Sequence, residues 1–208
     1  MKFINLIIIL LIPVSLLAQT KEWETEYSED GKTEVTYAIY DSLNAEDEEV
    51  KFIEYTAKTR TKASIEECVK VFNNPEMHKE FYEYTEKSDK IKDVNENEWI
   101  IYYYYDPPWP IANSDCVSRI TMKTDSTNKK VVFTSFSEPN FIEKKDVTRS
   151  ELNDITFSFI RINDQITEIL IKAILIPETP APNWMMSAWF PDGPAGTLSR
   201  FKELAENL

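Results

Sequence analysis

The sequence predicts an α+β fold in which a long run of antiparallel strands is followed by a helix at the C-terminus. Three features carry that prediction. Segments rich in β-branched and aromatic residues alternate polar with apolar side chains along most of the chain, the period of a half-buried strand. The period becomes helical near Ser64 and again from Trp184 onward. Finally, 208 residues with 42% hydrophobic and 12% aromatic content supply a core for one domain, and no repeat or low-complexity stretch divides it.

Taken in order, Trp23–Tyr27 and Thr33–Tyr40 flank Glu29-Asp30-Gly31-Lys32, an Asp-Gly turn that predicts a hairpin. Asn44–Glu49 reads as an acidic loop and Val50–Lys62 as a long strand. At Ser64 a hydroxyl precedes Glu67 and then Cys68, Val69 and Phe72 at helical spacing, which marks a capping box at a helix start. That helix should end near Asn73-Asn74-Pro75, with a second helical piece over Pro75–Lys87. Ile91–Val94, Glu98–Tyr105, Asp115–Thr124, Lys130–Ser137, Asp154–Ile162 and Thr167–Ile176 follow as strands separated by polar turns. Trp184–Leu208 reads as a long helix, kinked or broken near Gly193, with Leu198, Phe201, Leu204, Ala205 and Leu208 as its apolar stripe.

The first residues form an address. Lys2, the apolar run Leu6–Ile12 and the small Ala18 before polar Gln19-Thr20-Lys21 predict a secretory signal peptide over residues 1–18, leaving a domain over 19–208 in the periplasm or outside the cell. The run is shorter than the ~20 apolar residues of a membrane span and is interrupted by Asn5, Pro13 and Ser15, so no stable membrane insertion is expected. Export permits disulfides, yet Cys68 shares an apolar helical face with Ile65 and Phe72, and we read Cys68 and Cys116 as buried thiols rather than a bridge.

Composition excludes several function classes. The formal charge is −13, which repels nucleic acid and anionic membrane surfaces and favours a soluble monomer. Only 3 Gly argue against phosphate-cradling loops and nucleotide cofactors. A single histidine, His78, lacks a neighbouring nucleophile and orienting acid, so a surface or packing role is expected for it. One histidine and two distant cysteines do not make a zinc site, and the acidic groups Glu66-Glu67 and Asp47-Glu48-Glu49 read as solvated surface. No cofactor is implied.

The informative feature is aromatic. Trp99-Ile100-Ile101-Tyr102-Tyr103-Tyr104-Tyr105 is large on both faces, and the strands expected opposite carry Phe133, Phe136, Phe157 and Phe159. Such stripes are usually ordinary packing; the functional alternative is a cavity wall. Trp184, Met185, Ala188 and Trp189 share one helix face and either cap the core or form a lid. Periodicity does not say which row of the Trp99–Tyr105 strand faces inward.

Two stretches resemble a known family. Pro107-Pro108-Trp109-Pro110-Ile111-Ala112-Asn113-Ser114-Asp115-Cys116-Val117 resembles the Trp-Pro…Arg-Asp-x-Val segment of START domains, the lipid-transfer family related to steroidogenic acute regulatory protein. Asp192-Gly193-Pro194 with the helix after it is similar to that family's terminal helix. The resemblance implies the helix-grip fold, a curved antiparallel sheet wrapped around a long C-terminal helix and enclosing an apolar cavity. Ser114 departs from the pattern, standing where the family usually has Arg, which leaves Arg119 and Arg161 as candidates for a buried charge.

Under the resemblance, Trp99, Ile101, Tyr103, Tyr105, Trp109 and Val117 are expected to line the cavity together with Phe133, Phe157 and Phe159. Arg119 and Arg161 would be its polar contacts, Trp184, Met185, Ala188 and Trp189 its lid, and Tyr105–Ser114 its gate. The expected partner is a hydrophobic small molecule or lipid. Two rivals stand beside this: an enzyme on the same scaffold acting on an apolar substrate, and a protein-interaction module without a cavity.

Overall fold

The computed structural model describes residues 21–109, 111–127, 129–179 and 181–208; the expected signal segment lies outside the described residues. β1 (Glu24–Tyr27) and β2 (Glu34–Leu43) form the expected hairpin, with Gly31 at φ +68° in the left-handed region that glycine enters without steric cost. β3 (Glu49–Thr61) runs antiparallel to β2. α1 (Ile65–Phe72) begins at the capping box: the Ser64 hydroxyl accepts from the Glu67 N–H at 3.2 Å, and the Glu67 carboxylate accepts from the Ser64 N–H at 2.7 Å. These bonds hold the Glu67 carboxyl below the usual range.

The expected second helix is cut short. A 3₁₀ turn (Pro75–Met77) leads into α2 (His78–Phe81), and β4 (Thr85–Asn95) starts where the helical reading continued to Lys87. Tyr84, at φ +54°, turns the chain, and backbone pairing to β5 (Glu98–Tyr105) then outweighs the local helical pattern. β6 (Ser114–Thr124), β7 (Lys130–Ser137), β9 (Asn153–Asn163) and β10 (Ile166–Leu175) fall within a residue or so of expectation. Unforeseen is β8 (Thr148–Arg149), which pairs in parallel with the start of β6.

The strands make one curved, unclosed sheet in the order β1-β2-β3-β10-β9-β7-β6-β5-β4. The terminal helix is broken as expected, into α3 (Asn183–Ser187) and α4 (Asp192–Glu206), with a cis Phe190–Pro191 peptide between them. α4 packs on α1, α2, β2 and β3, so the sheet grips it. This is the helix-grip α+β architecture. Both cysteines are free and buried, and burial pushes each thiol up to about 12.

β5 is buried on both faces. Trp99, Ile101 and Tyr103 face the main core, whereas Ile100, Tyr102 and Val117 form a second cluster on the back of the sheet with Tyr104 and Ile142. The strap that supplies Ile142 also sets the Lys145 ammonium 3.7 Å from the Tyr102 ring centre. It is tied down by Arg149, whose guanidinium grips both Asp115 oxygens and donates to the Pro139 carbonyl at 2.7 Å. Both side chains of this pair are fully buried, so each charge depends on the other.

Candidate functional site

Successive side chains of a strand point to opposite faces, so the inward row of each strand can be followed end to end. On β7 it runs Val131, Phe133, Ser135, Ser137; on β9, Phe159, Phe157, Ile155, Asn153; on β6, Met122, Ile120, Ser118, Cys116, Ser114. At the first end six phenylalanines, Phe72, Phe81, Phe133, Phe157, Phe159 and Phe201, pack ring against ring from sheet, α1, α2 and α4. That half is solid. At the other end the inward residues are small and polar, and Tyr105, Ser137, Asn153, Ile155 and Leu175 keep partial accessibility although they face the interior.

Four tyrosines reach into that second half. Tyr103 is held by His78, Tyr105 lies parallel to Tyr103 with ring centres 6.2 Å apart, Tyr82 meets Tyr103 edge-on at 5.8 Å, and Tyr55 rises from β3 on the opposite side. Burial pushes the Tyr55, Tyr82, Tyr103 and Tyr105 phenols above their ordinary range. Tyr82 and Tyr105 are nevertheless partly accessible. Deep placement with residual accessibility sets these two phenols apart from the sealed rings of the other half.

Trp189 and Phe190, between α3 and α4, roof this end. Phe190 stacks on Tyr37 with ring centres 4.0 Å apart, and Trp189 meets Tyr55 edge-on at 5.7 Å. The Trp189 indole N–H donates to the Glu83 carboxylate at 3.0 Å, fastening the roof to the segment before β4. A Cβ on Gly193 would lie 1.9 Å from the Trp189 ring, so glycine is required there for the indole to lie flat.

His78 is fully buried in the solid half. Its Nε2 lies 2.7 Å from the Phe72 carbonyl and must donate to it, so Nδ1 accepts from the Tyr103 hydroxyl at 2.7 Å. Burial lowers its pKa to about 4, and the neutral ring is a packing element with both nitrogens used.

The sequence-expected residues divide sharply. Tyr103, Tyr105 and Trp189 lie at the tyrosine end of the interior, packed on the edge of the core. Trp99, Ile101, Phe133, Phe157 and Phe159 belong to the packed core. Trp109 is 92% exposed and Val117 faces the back of the sheet, so neither lines the interior. Arg119 lies on the outer face between Glu98 and Glu138, and Arg161 pairs with Glu66 of α1 at 2.9 Å; the buried charge is Arg149 instead. The lid face is also rotated: Trp184 is 70% exposed and Met185 and Ala188 point to solvent, while Met186, Trp189 and Phe190 turn inward. Tyr55, Tyr82, Ser118 and Asn153, which the sequence reading did not single out, face the same end of the interior. The change from phenylalanine to serine along the inward row of β7 was the available signal for them.

No family model matches the chain, and no curated protein matches it in sequence. Solved structures do match in shape. The STAR-related lipid transfer protein from Xanthomonas axonopodis superposes with a TM-score of 0.72 at 16% identity, over 88% of this chain and 98% of that one. Human StAR-related lipid transfer protein 5 follows with 0.69 at 11% identity, over 89% and 86% of the two chains. An aromatase/cyclase from Streptomyces shares the fold more distantly, at 0.54 and 10% identity, over 75% and 94%. The chain therefore has a START-like fold.

Proposed function

We propose that this chain holds a hydrophobic small molecule, a lipid, in the hollow between its curved sheet and the α3–α4 roof, and carries it through an aqueous compartment. One observation carries the reading: inward-facing side chains at the tyrosine end stay accessible beneath a roof whose Trp189 is fastened by an indole–carboxylate bond to Glu83. Shape likeness to two lipid transfer proteins supports it. Apolar area removed from water is worth roughly 25 cal/mol per Å², so an acyl chain binds there without covalent chemistry. We also propose that the protein is exported and monomeric, from the apolar leader and the charge of −13.

Native mass spectrometry of the purified protein with lipid extraction, joined to uptake of a fluorescent lipid from vesicles, tests the reading. A co-purifying apolar compound and measurable uptake are expected. Finding neither would overturn it in favour of protein recognition through exposed aromatics. The aromatase/cyclase likeness motivates a second reading, an enzyme acting on an apolar substrate in the same hollow. A bound compound recovered with its mass unchanged after prolonged incubation favours carriage; a changed mass favours the enzyme.

A further inference from the structure

The polar wall of the hollow has a definite chemistry. Among the described residues, neither the Tyr55 nor the Tyr82 hydroxyl has a hydrogen-bond partner, and neither is sealed. The sealed, unpartnered side-chain atoms are Trp99 Nε1, Ser150 Oγ and Arg200 Nη2. The two hydroxyls therefore open onto space, as donors waiting for an acceptor. Across from them the inward rows present Ser118, Ser135, Ser137 and the Asn153 amide, whose Nδ2 lies 3.4 Å from the Tyr105 hydroxyl.

What the wall lacks is a free cation. On the seven strands from β2 to β5, the described inward positions hold two: Lys51 at the rim, taken by Asp41 at 2.7 Å, and Arg161 at the far end, taken by Glu66. Arg200 of α4 turns away to the Phe81 carbonyl at 3.1 Å.

We propose that this compartment receives the polar end of an uncharged, hydroxyl-bearing amphiphile, bonded by the Tyr55 and Tyr82 hydroxyls, and that the lack of a free cation at the described inward strand positions disfavours carboxylates and phosphates. The proposal rests on the lipid-holding reading above and narrows it. A phosphate or carboxylate head would enter with no countercharge, whereas glycerol or alcohol hydroxyls both accept from phenols and donate to serine and amide oxygens.

The test uses three ligands of matched chain, monoolein, oleate and 9-octadecene, delivered to the purified protein from cyclodextrin at pH 8 and followed by tryptophan fluorescence. Monoolein should bind at least about tenfold tighter than the other two. Tyr55→Phe and Tyr82→Phe should each weaken monoolein about three- to tenfold, leave octadecene unchanged and keep the melting temperature, because the hydroxyls make no bond in the folded protein. Oleate or octadecene binding as tightly as monoolein, or the Tyr variants weakening all ligands alike, overturns the proposal while the lipid-holding reading stands. Binding of none of the three overturns both.

Discussion

The two ends of the same curved sheet are built from opposite materials. At one end six phenylalanines from five elements leave no room, and His78 is consumed by two hydrogen bonds inside that packing. At the other, serine, asparagine and alanine occupy the equivalent inward positions, and tyrosines with open hydroxyls stand around them. The strands and the grip of α4 are shared, so the difference lies in the size and polarity of the inward side chains. A solid end fixes the fold, and that frees the other end to pack less tightly under the Trp189–Phe190 roof.

The comparison breaks most readily by removing packing at the solid end. Phe157→Ala should cost about 3–5 kcal/mol, read as a fall in urea midpoint, because Phe157 is fully enclosed by other rings. A similar loss, about 3–5 kcal/mol, is expected for Arg149→Ala, which strands the buried Asp115 charge and frees the strap behind β5. If Phe157→Ala melts like the parent, the solid end is not what holds the molecule together, and an Arg149→Ala that melts like the parent would mean that the buried pair does not tie down the strap.

The next effect is one of pH. The His78 pKa, near 6.5 when unfolded, lies at about 4 in the fold, so the folded state binds fewer protons between those values. This contribution to stability is complete above pH 6.5, declines by up to about 1.4 kcal/mol per pH unit as pH falls, and is exhausted below about 4. Urea midpoints measured across that window should lose this part of their slope in His78→Gln, and an unchanged slope would count against a neutral buried ring.

Smaller effects belong to the roof. Gly193→Ala forces a methyl into the Trp189 ring and should cost about 1–3 kcal/mol, with faster amide exchange in α3 but not in β9. Uniformly faster exchange would mean the roof is not a separate unit. Least of all, Trp184→Ala should change neither melting temperature nor lipid uptake, since the side chain is 70% exposed and points away from the hollow. A loss of uptake would show that α3 turns over when ligand enters.

Much of the fold was legible. The alternation that placed β5, β7 and β9 depends only on neighbours in sequence, as does the Ser64–Glu67 cap. The site was legible in part. Tyr103 and Tyr105 stand out in any reading of Trp99–Tyr105, but the same reading ranked Phe133, Phe157 and Phe159 beside them, and these fill the interior rather than line it. Trp109 and Trp184 misled because large apolar side chains are expected inside, whereas a loop and a short helix can leave them in water.

What the sequence determined by itself is the order of strands and helices, the hairpin at Gly31 and the break before α4, since each rests on local backbone preference and spacing. Only the tertiary structure decided which aromatic row faces inward and which face of α3 turns to the sheet. It alone paired Arg149 with Asp115, and it alone put the small residues of β6, β7 and β9 side by side. Period-two alternation distinguishes two faces without ranking them, and a hollow exists only where small side chains from strands distant in sequence meet.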